Sequence, residues 1–181
     1  MRAMMGERVR RFGLAVIVAA VVVLVDQATK LLAISELSED RRIPLLGDVL
    51  GLQLAFNPGA IFSFGASVTG LITLIGVGAT VWLVVAAALT RNAWAATGFG
   101  FILGGAVGNL IDRLFSPPGF GIGHVTDFLA YGNLFIGNLA DVALGIGACL
   151  LVIAGLRASR PRRAEPDTIA TEHTSHEETV S

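Results

Sequence analysis

Charge is scarce in this sequence. Of its 181 residues only 15% are Asp, Glu, Lys or Arg, against about 25% in an ordinary soluble domain. Apolar residues make up 54%, and the mean hydropathy is +0.72. A water-soluble globule is thereby excluded, and the length fits one domain in a bilayer. Cysteine is nearly absent. Cys149 stands alone, so no intrachain disulfide can form. It lies in the last apolar run and reads as a packed apolar residue. Histidine is equally sparse: His124, His173 and His176 are scattered, and no Cys/His cluster has metal-ligand spacing. No basic patch with interleaved aromatics exists, which argues against nucleic acid. The net charge of -1 is uninformative, because the distribution of the basic residues matters more.

What is present is long apolar runs. Four of them, residues 12–34, 68–89, 94–111 and 138–156, reach the length of about 20 residues needed to span a bilayer. The first continues through Asp26 and Lys30 without a small-residue cleavage site, so it reads as a retained helix rather than a cleaved signal. The third carries Gly98, Gly100, Gly104, Gly105 and Gly108, and the fourth Gly145 and Gly147. Small residues let membrane helices approach closely, so these two spans are expected to pack inside the bundle.

Arginines set the expected orientation. Arg2, Arg8, Arg10 and Arg11 precede the first span, Arg91 joins the second to the third, and Arg157, Arg160, Arg162 and Arg163 follow the fourth. The positive-inside rule puts all three groups, and both termini, in the cytoplasm. Residues 35–67 and 112–137 are then outside. Within the first of these, Leu50, Leu52, Leu54 and Phe56 alternate with Gly51, Gln53, Ala55 and Asn57, a strand period. The expected fold is an all-α integral membrane protein. It is a four-transmembrane-helix bundle with a small extracytoplasmic β-strand element between the first two spans. Residues 1–157 form the membrane domain, and residues 158–181 form a polar, disordered cytoplasmic tail.

The unusual polar residues converge on one membrane face. Asp26 and Lys30 lie near the outer end of the first span, and Asn57 ends the outer strand. Asn109, Asp112 and Arg113 close the third span, Asp127 lies in the second outer connection, and Asn138 and Asp141 open the fourth span. Asp26 and Lys30 are four apart on one helix face, a spacing that also suits a plain ion pair. Asp112, followed by Arg113 and near Asn109, reads as an ionised structural anchor. Asp127 beside Val125 and Phe128, and Asp141 at the mouth of an apolar span, have surroundings that favour a neutral carboxyl. An ionisable group at a membrane helix end is a functional-site candidate. Two such carboxyls facing one another share a proton.

These segments, in this order, resemble the lipoprotein signal peptidase (signal peptidase II) family. The matching motifs are Asp26-Gln27-Ala28-Thr29-Lys30, Asn57-Pro58-Gly59-Ala60-Ile61-Phe62, Gly108-Asn109-Leu110-Ile111-Asp112-Arg113, Val125-Thr126-Asp127-Phe128 and Asn138-Leu139-Ala140-Asp141. The resemblance covers residues 12–156. This chain departs from the family pattern at Gly137, where Phe is usual, at Thr126, where Val is common, and in an added stretch, Ser116-Pro117-Pro118-Gly119-Phe120-Gly121.

The resemblance implies an aspartic endopeptidase of the bacterial cell membrane. It would remove the signal peptide from diacylglyceryl-modified prolipoproteins, just before the lipidated cysteine, at the extracytoplasmic face. Asp127 and Asp141 would be the catalytic pair. Asn57, Asn109, Asp112, Arg113 and Asn138 would shape the site, with Asp26 and Lys30 as its buttress. Lipid-modified prolipoproteins and membrane lipid are the implied partners, with no metal, cofactor or oligomer required. Two other classes fit a membrane protein with buried carboxylates. A proton-coupled transporter places them near the bilayer midplane and tends to show internal repeats, and neither feature is visible here. A membrane scaffold has no need of both Asp127 and Asp141.

Overall fold

The computed structural model describes residues 2–59 and 68–159. Eight elements follow in order: α1 (Arg2–Glu36), β1 (Ile43–Leu46), β2 (Leu50–Asn57), α2 (Thr69–Leu89), α3 (Ala93–Phe115), β3 (Val125–Tyr131), β4 (Phe135–Gly137) and α4 (Leu139–Ala158). All four helices are long and apolar enough to cross a membrane. Their large side chains point outward in numbers no soluble protein tolerates. Leu24 is 70% exposed, Trp82 65% and Val152 61%, as expected of a surface solvated by acyl chains rather than water.

Helix α3 is the centre of the bundle and packs on α1, α2 and α4. Its glycines make this possible, and they divide by face. Gly100 and Gly104 lie against Ala15, Val18, Ala19 and Val22 of α1, and Gly98 and Gly105 lie against Ala140, Leu144, Gly147 and Leu150 of α4. A four-residue spacing keeps one stripe on one neighbour, so two backbones meet where side chains would hold them apart. Gly147 of α4 returns the contact onto Gly98 and Ile102, whereas nothing lies within 4 Å of a Cβ placed on Gly145. The third and fourth spans pack together as expected, and of the two α4 glycines Gly147 is the one at the contact. Cys149 is exposed on α4 rather than packed. Helix α3 begins at an Asn92 cap, whose side chain accepts from Trp94 N at 2.8 Å. It extends beyond the expected span to Phe115, so Asp112 and Arg113 lie inside its last turn.

The strands form one antiparallel sheet in the order β1-β2-β3-β4. Both outer connections contribute, so the expectation of a strand element confined to the first is corrected. β2 occupies the segment whose alternation was visible. β3 was missed because Val125, Thr126, Asp127 and Phe128 are all buried, and a strand covered on both faces loses its period of two. β1 and β4, at four and three residues, are too short to show a pattern. β2 pairs with β3 in a register that sets Ala55 against Asp127 and Asn57 against Val125. Leu54 and Phe128 join Ala33 in a core that fastens the sheet to the C-terminal end of α1. Asp127 is thereby held over the end of the bundle. Except for Ala158 and Ser159, the C-terminal tail lies outside the described residues.

The two classes of glycine predict opposite responses. A Cβ on Gly105 would sit 2.5 Å from the Ala140 carbonyl oxygen and 2.9 Å from Leu144. Gly105→Ala is therefore expected to destabilise the bundle by roughly 1–3 kcal/mol. Gly78, with nothing within 4 Å of such a Cβ, should tolerate alanine with no loss and a gain of up to about 1 kcal/mol. Thermal unfolding of both variants in detergent checks this. Equal melting temperatures would contradict the packing.

Candidate active site

The site is built around a cation with no access to water. Lys30 is 2% exposed, Asp26 0% and Asp112 5%. The ammonium lies 2.8 Å from Asp26 Oδ2 and 2.9 Å from Asp112 Oδ2, and it donates to Asn109 Oδ1 at 2.9 Å. An isolated buried ammonium is prohibitive, so three oxygens around three N–H donors is the arrangement burial demands. Gln27 completes the shell. Its amide nitrogen lies 3.2 Å from Asp26 Oδ2, 3.2 Å from Asp112 Oδ1 and 3.1 Å from the Gly108 carbonyl. The spacing of Asp26 and Lys30 suggested a pair, and the structure makes it a triad. Asp112 finds its cation in Lys30, not in the neighbouring Arg113 as expected. Successive side chains on a helix point about 100° apart, and Arg113 turns to the carbonyl oxygens of Pro58, Gly59 and Gly123.

Each buried carboxylate also grips a backbone amide. Asp26 Oδ1 accepts from Ala140 N at 2.9 Å, and Asp112 Oδ2 accepts from Thr126 N at 3.1 Å. Ala140 precedes Asp141, and Thr126 precedes Asp127. The charge cluster thus fixes the main chain one residue before each of the two aspartates.

Two asparagines connect the cluster to those aspartates, and their orientation follows from donor polarity. Lys30 offers only donors, so Asn109 must turn its oxygen to Lys30. Its Nδ2 then donates to Asp141 Oδ1 at 3.2 Å. Asn138 caps α4 and must turn its oxygen to Asp141 N, at 3.1 Å, while Asp141 Oδ2 accepts from Asn138 N at 3.1 Å. This is a reciprocal capping box. The Asn138 amide nitrogen is left for Asp127 Oδ1 at 2.6 Å and Asn109 Oδ1 at 3.2 Å. Asn57, from β2, donates to Asp127 Oδ2 at 3.2 Å. One side chain, Asn138, therefore touches both Asp127 and the α4 turn that carries Asp141.

Asp127 is 3% exposed, and burial, reinforced by the charge of Asp141, pushes its carboxyl up to about 6. The hydrogen bonds from Asn57 and Asn138 and the Lys30 charge act in the opposite direction. Both aspartates open onto one cavity of about 440 Å³. Asn57, Asn109 and Arg113 share its polar wall, and Ile72, Phe135 and Leu144 its apolar one. An apolar cleft with a few convergent polar groups is the usual form of a ligand site. Among the described residues no group of three His, Cys, Asp or Glu is arranged to hold a metal ion. All nine residues singled out from the sequence meet at this end of the bundle. Gln27, Tyr131 and Phe135 were not singled out. Gln27 lay inside a recognised motif, whereas the two aromatics carried no signal.

Arg8 donates to the Ala88 carbonyl and Arg157 stacks over Trp94, so both lie at the opposite end of the bundle.

Comparison with known proteins agrees with this architecture. The family model described as signal peptidase (SPase) II matches residues 18–157. A lipoprotein signal peptidase of Rhodococcus jostii (strain RHA1) is 41% identical over 145 residues, spanning 80% of this chain and 73% of that one. One from Mycobacterium avium (strain 104) is 41% identical over 147 residues, covering 81% of each. A solved bacterial membrane enzyme superposes with a TM-score of 0.68 at 25% identity, over 81% of this chain and 95% of the other. A second superposes with a TM-score of 0.65 at 27% identity, over 84% and 94%. The protein is a multi-pass bacterial membrane protein and a protease. With the family model matched over residues 18–157, the chain belongs to the signal peptidase II family.

Proposed function

We propose that this enzyme hydrolyses the bond just before the diacylglyceryl-cysteine of prolipoproteins, with Asp127 and Asp141 as its catalytic pair. The observation that carries the proposal is Asn138, which holds Asp127 at 2.6 Å while capping the helix turn of Asp141. Asp127, pushed up to about 6, is the natural carrier of the shared proton. Asp141 receives N–H groups from Asn109 and Asn138 at a helix N-terminus, where negative charge is accommodated. A water between the carboxyls gives its proton to Asp141 and attacks the scissile carbonyl. Asp127 donates to the carbonyl oxygen. The tetrahedral intermediate collapses as the cysteine nitrogen takes a proton from Asp141, one hydroxyl of the intermediate returns its proton to Asp127, and the C–N bond breaks. The titration belongs to the pair rather than to either residue.

The remaining residues have supporting roles in this reading. Asn57, Asn109 and Asn138 aim the carboxyls. Asp26, Lys30 and Asp112 hold the backbone beneath them. Arg113 fixes the turn at Pro58 and Gly59. The basic ends of the helices face the cytoplasm under the positive-inside rule, so the site faces the extracytoplasmic side of the cell membrane. Residues 1–157 act as one peptidase domain, with the polar tail beyond it cytoplasmic, and no second copy is needed. The diacylglyceryl chains stay in the bilayer and set the depth of the scissile bond.

Purified enzyme should therefore cleave a diacylglyceryl-modified prolipoprotein and leave the unmodified precursor intact. Each buried methylene contributes about 0.8 kcal/mol to membrane retention, and the chains also fix the depth of the bond. Equal cleavage of the two substrates, read by gel shift and mass spectrometry, would count decisively against the reading.

The titration of Asp127 gives a second expectation. Its ordinary value is 3.8 and its folded value about 6, so the folded state binds the extra proton. Its contribution to stability is complete below pH 4 and is lost as pH rises through about 6. Asp127→Asn removes this loss. The variant should unfold at a higher temperature than the parent at pH 8, by the equivalent of up to about 3 kcal/mol, and the advantage should vanish at pH 4. In the parent, kcat/KM should decline as pH rises through the same region, because the shared proton leaves. A variant less stable than the parent at pH 8 would contradict the buried, raised carboxyl.

A further inference from the structure

The added stretch, residues 116–121, has no part in the mechanism above, yet it is firmly built. Ser116 N donates to the Asp112 carbonyl at 2.8 Å, Ile122 N to Gly119 at 3.1 Å, Gly123 N to Arg113 at 3.0 Å and His124 N to Pro117 at 2.9 Å. The chain is thereby folded back onto the end of α3, and Ile122 lies against Gly70 at the start of α2. A segment bound this closely presents a fixed surface, and that surface is aromatic. Phe115 is 74% exposed and Phe120 78%. The two rings meet edge to face, with centroids 6.1 Å apart and planes at 66°. No Asp, Glu, Lys or Arg occurs in residues 114–123, so the turn offers nothing to a charged partner. An exposed apolar patch of this kind marks an interaction surface.

The length of α3 decides what covers the rings. Near its start, Trp94 carries the Arg157 guanidinium 4.5 Å from its ring centroid. A guanidinium at a helix end reaches for the headgroups rather than the hydrocarbon, so Trp94 marks one boundary of the bilayer. At a rise of about 1.5 Å per residue, Phe115 stands about 32 Å further along the same helix. The hydrocarbon core is about 30 Å thick, which brings Phe115 to the opposite boundary. Ile122 is exposed as well, and it touches the start of α2, where Leu71 and Leu74 are exposed. The aromatic pair therefore continues the apolar outer surface of the bundle. We propose that the turn from Phe115 to Ile122 is an interfacial anchor, with the Phe115 and Phe120 rings seated among the acyl chains just beneath the headgroups. Apolar faces of surface elements sit about 5–10 Å into this layer. The Gly123 carbonyl accepts from the Arg113 side chain at 3.5 Å, and β3 begins two residues later. The anchor thus holds the strand that carries Asp127 at the level of the boundary. This assignment does not depend on which carboxylates do the chemistry.

Depth-resolved fluorescence quenching tests it. The chain has two tryptophans, Trp82 and Trp94, so Phe120→Trp in a Trp82→Phe/Trp94→Phe background leaves one fluorophore at the turn. Phe115→Trp in the same background gives a second, independent reporter should the first variant not reconstitute. In phosphatidylcholine vesicles each should emit to the blue of tryptophan in water. Each should lose more fluorescence to lipid brominated near the headgroup end of its acyl chains than to lipid brominated near the terminal methyl. Iodide present on both sides of the vesicle should remove little. Loss to iodide with none to either brominated lipid puts the turn in water and overturns the anchor. Protection from every quencher puts it beneath another protein surface, a second copy included, and overturns it too. Stronger loss to the deep bromines than to the shallow ones places the rings in the hydrocarbon centre and contradicts the boundary assignment.

Discussion

A lysine ammonium buried at the end of an apolar bundle is the constraint from which the rest of this site follows. Lys30 must be neutralised and fully hydrogen-bonded where it lies, and helix α3 supplies what α1 does not. Asp26 is one turn away on α1, and Asp112 and Asn109 come from α3. An ion cluster of this kind is weak evidence for net stability, but removing one member of it costs about 3–5 kcal/mol. Its more specific consequence is geometric. The carboxylates satisfy Lys30 and still have lone pairs for the amides of Ala140 and Thr126. A charge buried between α1 and α3 therefore registers α4 and β3, the two elements that carry Asp141 and Asp127.

The asparagines extend that registration without adding charge. Because Lys30 has no acceptor, the direction of each amide from Asn109 to Asn138 is decided in turn, and each aspartate ends facing an N–H group. Preorganised donors of this kind need no reorientation when charge moves beside them. The glycines of α3 serve the same end. Gly108 lies under Asp26, where a Cβ would come 2.5 Å from Oδ2, so the carboxylate is seated in space that only glycine leaves.

Much of this was legible before any coordinates, because membrane burial makes polar residues conspicuous. The four apolar runs marked the helices to within a few residues at most ends. Nine polar residues could be placed together at one end of the bundle by the order of the spans alone. What stayed hidden was what the sequence encodes only through tertiary contact. β3 lost its alternation to burial on both faces. Asp112 stood next to Arg113 in the chain yet pairs with Lys30, 82 positions away. Gly145 and Gly147 look alike in a hydropathy profile, and only the second meets a neighbouring backbone. Phe135 carried no motif and acquires its place at the cavity through a three-residue strand.

The central claim is that Asp127 and Asp141 work as one unit while Asp112 supports them. Single-turnover cleavage of a diacylglyceryl-modified prolipoprotein by Asp127→Asn, Asp141→Asn, the double variant and Asp112→Asn tests it most directly, with folding followed by thermal unfolding. Asp127→Asn and Asp141→Asn should each remain folded and lose turnover, and the double variant should be little worse than either, because members of a catalytic unit are not additive. Asp112→Asn should lower stability and activity together. A well-folded Asp127→Asn enzyme that cleaves at near-normal rate would contradict the account and move the catalytic partnership of Asp141 to Asp112.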